Sequence, residues 1–153
     1  MREILFRGKH IATGAWEYGF YVHIPNMRGE DKHLIQTLDE DGDMGLIHSV
    51  NPATVGQCTG LTDKNGKRIF EGDILQFGGR RLMVWWNGEA FQWQAKTVAG
   101  YDYIPYEVSD TDWTNVDLGV IYSEIPILGK MTTEVIGNIH DHPELLEGGG
   151  NQK

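Results

Sequence analysis

Cysteine is almost missing from this chain: Cys58 stands alone among 153 residues. A single thiol excludes an internal disulfide framework and fits a reducing cytoplasm. Within an apolar run it reads as a small, partly buried strand filler rather than a catalytic group. No run of about 18 apolar residues occurs, which leaves no candidate for a helical membrane span. The segment Met1–Arg7 lacks the long apolar stretch and small-residue cleavage site of a secretory signal. Basic side chains are scarce, 13 Lys and Arg against 22 Asp and Glu, for a net charge of −9. The deficit concentrates in residues 81–153, where Arg81, Lys96, Lys130 and Lys153 stand against eleven carboxylates. Duplex binding gains affinity by neutralising phosphates with Lys and Arg, so this balance disfavours nucleic acid as a partner. G-x-S-x-G, G-x-x-x-x-G-K-[ST] and G-x-G-x-x-G are all absent, which removes a foothold for acyl-hydrolase, P-loop and dinucleotide chemistry. The expectation is a chain that is not an enzyme and takes no cofactor or metal.

Glycine, by contrast, is plentiful. Twenty glycines are roughly twice the usual share, and that favours turn-rich β structure over helix bundles. With 40% apolar residues and five tryptophans the chain can bury a real core. Its length suits one domain with a smaller appendage. From Ile74 onward a β-meander is expected. Ile74–Phe77 leads to Gly78-Gly79, Arg80–Trp86 to Asn87-Gly88, and Glu89–Gln94 comes next. Both glycine pairs suit two-residue hairpin turns, which need positive φ. Leu82, Val84 and Trp86 share one face of the second strand, and Phe91 and Trp93 one face of the third, which fixes the register. Such short antiparallel strands point to a small barrel or a strongly bent sheet.

Elsewhere the pattern is more mixed. Residues 95–122 carry no clear period; within them Asp110-Thr111-Asp112-Trp113 could cap a short helix but is better read as an acidic surface loop. Ser123–Lys130 reads as an edge strand because of Pro126, and Glu134–His140 as a final strand. Pro143–Leu146 is a proline-started helical turn, and the residues after it a frayed tail. In the first 56 residues, Trp16–Ile24 and His33–Leu38 read as strands. Arg28–Lys32 is a charged loop tip, and the join to the meander lies near Pro52.

Several groups invite a chemical reading. Asp39-Glu40-Asp41-Gly42-Asp43 places carboxylates as a calcium loop would, but Met44 stands where the turn wants glycine and Val50 where a bidentate Glu should close the shell. An acidic solvated loop is the better account. His140 and His142 alternate as zinc ligands on a strand would, yet Pro143 comes directly after and no third ligand has motif spacing, so a solvent-facing strand-end pair is favoured. Glu71 and Asp73 could pair as acid and base, but they flank Gly72 in a turn, where Asp usually binds backbone N–H groups. Trp85, Trp86, Trp93 and Trp113 with Tyr101, Tyr103 and Tyr106 make residues 85–113 aromatic-rich. Trp85, Trp86, Tyr101 and Tyr103 are the candidate binding surface or subunit contact, the alternative being apolar packing against the N-terminal subdomain.

One run is more specific than these: Gln57-Cys58-Thr59-Gly60-Leu61-Thr62-Asp63-Lys64-Asn65-Gly66-Lys67-Arg68-Ile69-Phe70-Glu71-Gly72-Asp73-Ile74. Together with Phe6-Arg7-Gly8-Lys9, Thr13–Gly19, Val135-Ile136-Gly137-Asn138-Ile139 and His142–Leu146, it resembles the YopX family of phage and prophage proteins. The resemblance implies an SH3-like small β-barrel preceded by a β-rich N-terminal extension, in the cytoplasm of a bacterial host. It implies no activity. On that basis residues 1–56 form the N-terminal subdomain, 57–146 the barrel domain and 147–153 a disordered tail. Gly60, Leu61, Asp63, Asn65, Gly66, Glu71, Gly72, Asp73, Gly137 and Asn138 are architectural. The expected function is a binding or assembly module working through a protein partner or a homo-oligomer. A nucleic-acid accessory role is the alternative, requiring Arg7, Lys9, Lys64, Lys67, Arg68, Arg80 and Arg81 to share one face.

Overall fold

The computed structural model describes residues 4–77, 80–89, 92–97, 116–117 and 133–146. These residues are mainly β, in two antiparallel sheets, and the chain divides into two units, Met1–Gly60 and Leu61–Lys153. The division falls at Gly60 inside a long strand, where residue 56 was expected to end the first part. No helix among the described residues is long and apolar enough to cross a membrane.

The first unit is built from β1 (Phe6–His10), β2 (Trp16–Met27), β3 (Glu30–Leu38) and β4 (Met44–Thr62). Each strand pairs antiparallel with the next, and β4 also pairs with β1, so the ladder of hydrogen bonds returns to its starting strand. β2 and β4 are long because each serves two neighbours. Trp16–Gly19 faces β1 and the rest of β2 faces β3, while β4 pairs with β3 as far as Ser49 and with β1 from Val50. Pro52 therefore lies within a strand and not at a join. It is tolerated because the register jumps there: Lys9 pairs with Asn51 and Arg7 with Gly56. The residues looped out between them need no ladder donor. Thr54 Oγ1 fills the gap by accepting the Lys9 N–H at 2.8 Å.

The second unit contains β5 (Arg68–Phe70), β6 (Asp73–Phe77), β7 (Arg80–Asn87), β8 (Gln92–Thr97), β9 (Val116–Asp117) and β10 (Thr133–Asn138), then a 3-10 turn at Pro143–Leu146. Five of the strands form one sheet in the order β10-β6-β7-β8-β9, and β5 hairpins back onto the end of β4. Leu75, Leu82, Val84 and Ala95 are fully buried on one sheet face beneath Ile69 of β5, with Leu61, Phe77, Trp93 and Val135 packed around them. Alternation placed Leu82, Val84 and Trp86 on one face, and Trp86 ends that row, 42% exposed, its ring edge-on to Trp93 at 5.0 Å.

One hairpin departs from expectation. Asn87 pairs with Gln92, so four residues connect β7 to β8 where Asn87-Gly88 was expected to make a two-residue turn, and β8 starts at Gln92 rather than Glu89. Gly88 does not adopt positive φ. The cause is the Asn87 side chain, which bonds within the structure from a strand position. Its Oδ1 accepts the Glu89 N–H at 3.0 Å and its Nδ2 donates to Gln94 Oε1 at 3.0 Å. The Gly78-Gly79 turn, Phe91, the Asp110–Trp113 loop, the 123–130 strand and the tail lie outside the described residues, though Phe77 does pair with Arg80 across the glycine pair.

Candidate functional site

The geometry of the central run centres on one carboxylate. Asp63 is fully buried at the turn between β4 and β5. Its Oδ1 accepts the N–H groups of Asn65 and Lys67, both at 2.9 Å, and its Oδ2 accepts the N–H of Val135 at 2.9 Å, from β10. The Lys64 N–H donates to the Thr133 carbonyl at 2.8 Å beside it, and Lys64 Nζ meets Glu134 Oε2 at 3.0 Å. A short-side-chain acid is needed because only Asp can bond backbone two and four residues ahead while still reaching a neighbouring strand. Of the residues around it, Asn65 and Gly66 belong to this turn, Gly60 and Leu61 to the end of β4 and Gly72 to the next turn. Gly60, Gly66 and Gly72 hold φ of +86°, +77° and +87°, Leu61 packs on the core, and Asn65 is exposed at the tip.

The second acidic position has the same use. Asp73 is buried and its Oδ2 accepts the Phe70 N–H at 2.8 Å, while Glu71 is half-buried at the turn. Gly72 donates its N–H to the Val84 carbonyl and accepts from Ile139, tying β6 to β7 and to the chain after β10. At Gly137 the requirement is space: a Cβ there would lie 2.7 Å from His142 Nδ1 and 2.9 Å from Leu145 Cδ1. Asn138 ends β10, its Oδ1 accepting the N–H groups of His140 and Asp141 at 3.0 and 2.9 Å. The strand therefore stops before either histidine, and His140 and His142 are not the alternating strand pair expected of their spacing. His142 Nδ1 is turned back onto the Asn138 N–H at 3.3 Å.

The other candidates separate. Trp85 is half-buried on the sheet face opposite Trp86, and Tyr101 and Tyr103 lie outside the described residues. Asp39 Oδ1 accepts the N–H groups of Asp41 and Asp43, at 3.0 and 2.8 Å, which makes the acidic run a β3–β4 turn. Of the basic residues, Arg7 is buried with its guanidinium 4.5 Å from the Trp16 ring centre, Lys9 lies 5.5 Å from the same ring, and Lys64 pairs with Glu134. Lys67 and Arg68 are exposed in the other unit.

Sequence reasoning missed the two faces of the N-terminal sheet. One is apolar and exposed. Tyr18, Phe20 and Val22 alternate along β2, and the register sets Phe20 opposite Gln36 and Gln36 opposite Ile47. The opposite face covers buried Ile35 and Val50 and carries four histidines. His10 and His48 meet ring to ring at 5.3 Å, and His48 Nε2 lies 3.6 Å from Glu17 Oε2. His23 and His33 are direct cross-strand partners, with rings stacked at 4.4 Å and 7°. Asp31 belongs to this face because β3 begins at Glu30, so Arg28–Lys32 is not all loop tip. Its Oδ2 sits 3.2 Å from His23 Nε2 and its Oδ1 accepts the Asn26 N–H at 2.9 Å. That backbone bond, then His23, holds the Asp31 carboxyl below the usual range. Tyr21 hydrogen-bonds His33 Nδ1; burial and then the Asp31 charge push its phenol up. The signal available was Asp31-x-His33 on one strand with His23 on the other, legible only once the hairpin register is known.

The chain thus has two units, mainly β among the described residues, and the buried side chains of Asp63 and Asp73 in its central run bond to backbone. Residues 5–147 match the family model described as YopX protein, and the chain belongs to the YopX family. Among solved structures, protein EF1440 from Enterococcus faecalis is similar at 20% identity and a TM-score of 0.44, over 96% of this chain and 100% of that one. No curated protein matches the chain significantly.

Proposed function

We propose that this YopX-family chain is a non-enzymatic binding or assembly module that associates with a second copy of itself through the apolar face of its N-terminal sheet. The observation that carries the proposal is the exposure of Tyr18, Phe20, Val22 and Ile47 on one continuous face, Phe20 at 46% and Ile47 at 60%. Scattered apolar residues on a surface are ordinary, whereas Tyr18, Phe20 and Val22 in one row, with Ile47 beyond Gln36 on the same face, are the kind of grouping that marks an interaction site. A second copy suits this face because the four side chains carry no charge and need no complementary partner. Residues 1–60 hold five basic and eight acidic groups, a net −3 out of the −9 of the whole chain, so joining copies through this unit brings the less charged halves together. An isologous two-fold contact then covers the same face on both copies. In the second unit we read the β4–β5 hairpin, tied to β10 through Asp63, as closing a small SH3-like barrel, with Trp86 at its rim as a further anchor. The setting that accompanies this reading is the cytoplasm of a bacterial host carrying the phage or prophage.

Light scattering coupled to size exclusion tests it. The wild-type chain is expected to run as a dimer or higher oligomer, and Phe20→Glu as a monomer with an unchanged circular dichroism spectrum. A wild type that stays monomeric at tens of micromolar, on the order of a weak interface, refutes self-association. Oligomers that persist in Phe20→Glu move the interface off this face.

A further inference from the structure

On the opposite face of the same sheet, we infer a binding site for a divalent first-row transition metal, zinc(II) being the representative, formed by His23, Asp31 and His33. One ligand atom from each of these residues lies within 4.8 Å of the others. Tetrahedral zinc holds its nitrogen and oxygen ligands at about 2.1 Å, which puts them roughly 3.4 Å apart. His23 Nε2 and Asp31 Oδ2, at 3.2 Å, already have that spacing. The His33 ring, stacked on His23 at 7°, must turn out of that stack and close up to about 1.4 Å, from the 4.8 Å spread to the roughly 3.4 Å of a tetrahedral site, for its in-plane nitrogen to meet the same metal.

Three features set this group apart from a chance meeting of polar side chains. First, its members are fixed by strand register. His23 faces His33 directly across the β2–β3 ladder, and Asp31 stands two residues from His33 on the same strand, hence on the same face. Second, the backbone is deformed at the site. The register shifts between Ile24 and Met27, so that Pro25 and Asn26 together oppose Asp31. Asn26 holds φ of +51° within that shift, while the +54° of Arg28 belongs with Gly29 to the two-residue hairpin turn between Met27 and Glu30. A bulge beside a cluster of ligands is a known way to re-aim a side chain, and a left-handed non-glycine residue such as Asn26 is of the kind found where function over-determines the backbone. Third, the ligands have supports of the kind metal sites use. The Asn26 N–H fixes Asp31 through Oδ1 and leaves Oδ2 directed at His23. The Tyr21 hydroxyl engages His33 Nδ1, which leaves Nε2 of that ring as the nitrogen for a metal.

Two imidazoles and a carboxylate form a borderline-soft nitrogen and oxygen set. Such a set suits zinc, iron(II), cobalt(II) or nickel(II) over magnesium or calcium, which prefer oxygen alone. Three protein ligands leave at least one position for water or for a group from another molecule. His10 and His48 with Glu17 lie on the same face but do not bring their ligand atoms into one such cluster.

The test uses the full chain, stripped with chelator. Zinc chloride is titrated by calorimetry near pH 7.5, and cobalt(II) is added separately for its visible d–d bands. The expected result is one saturable zinc per chain, with zinc-dependent shifts of the His23 and His33 ring nitrogens in long-range proton–nitrogen spectra. His23→Ala and Asp31→Asn are both expected to weaken binding by at least about a hundredfold, since lost ligands cost more than lost outer-shell partners, and His48→Ala to leave it unchanged. Should His23→Ala fail to fold by circular dichroism, Asp31→Asn and the ring-nitrogen shifts decide. Absence of saturable binding at millimolar zinc overturns the assignment. So does binding that survives both substitutions, or shifts confined to His140 and His142. None of these outcomes depends on self-association, because the phenylalanine tested for that role lies on the other face.

Discussion

Replacing Asp63 probes the architecture most directly. Its carboxylate takes three backbone N–H groups, of Asn65, Lys67 and Val135, each at 2.9 Å, and is fully buried. Asp63→Ala removes the acceptor and leaves three donors without it. A hydrogen bond contributes roughly 1–1.5 kcal/mol net, more when one partner is charged, and a buried donor left unpaired carries its full desolvation cost. Three such bonds amount to about 3–4 kcal/mol, from which the cost of burying the ionised carboxylate is partly recovered. For a unit of this size each kcal/mol moves the melting temperature by about 4–8 °C, so a drop of at least about 12 °C is expected in thermal melts followed by tryptophan fluorescence. Asp63→Asn keeps one carbonyl oxygen for Asn65 and Lys67 but sets an amide NH2 against the Val135 N–H. About half the loss is expected, roughly 1.5–2 kcal/mol. Amide exchange separates the two variants: Val135 loses protection in both, Asn65 and Lys67 only in Asp63→Ala. A melting temperature for Asp63→Ala within about 4 °C of wild type, equivalent to less than 1 kcal/mol, refutes the view that this side chain holds the hairpin to β10.

Two glycines separate conformational cost from steric cost. At Gly72 an added methyl finds its nearest neighbour 3.5 Å away but must accept φ of +87°, so Gly72→Ala should lose about 1–2 kcal/mol in urea melts, and an unchanged midpoint refutes this. Gly137→Ala meets His142 and Leu145 at under 3 Å and should lose about 1–3 kcal/mol. Adding His142→Ala should return part of that loss, and a double variant less stable than the sum of the single changes argues against the clash. The Asp31 carboxyl carbon, followed by NMR without metal, should titrate below 3.8, the ordinary value for an aspartate. Because the folded pKa is depressed, the stabilisation of the β2–β3 hairpin tip is complete above the unfolded pKa and is lost as pH falls through the folded one. A midpoint at or above the ordinary value contradicts the Asn26 bond in solution.

The strands with strict alternation are legible in the sequence. Leu82, Val84 and Trp86 do share a face, Trp16–Ile24 and His33–Leu38 are strands, and Pro143 opens a short turn of helix. These are local facts, fixed by side-chain period and by proline's missing donor. The features that escaped depend on partners distant in sequence or on side chains overriding a turn preference. Asp63 looked like an ordinary turn acid, and nothing local announces that its second oxygen reaches a strand 72 residues on. Asn87-Gly88 carries a strong two-residue turn signal, but the Asn87 amide finds Gln94 across the ladder and the turn lengthens. Pro52 argued for a join because a proline in a strand costs a ladder bond, and the register jump opposite Gly8 removes that cost. His23 and His33 are separated by a stretch with no metal-site spacing of its own, and only the hairpin register shows them stacked.

The reach from Asp63 to Val135 also orders events during synthesis. The first unit's pairings all fall within residues 6–57, so its ladder can close while the ribosome is still translating the second unit. The second cannot: its buried carboxylate waits for a partner that has not been made until codon 135 is read. Until then the nascent hairpin holds an ionised side chain with one oxygen still served by water, and the fold's last large entropic step comes late in translation.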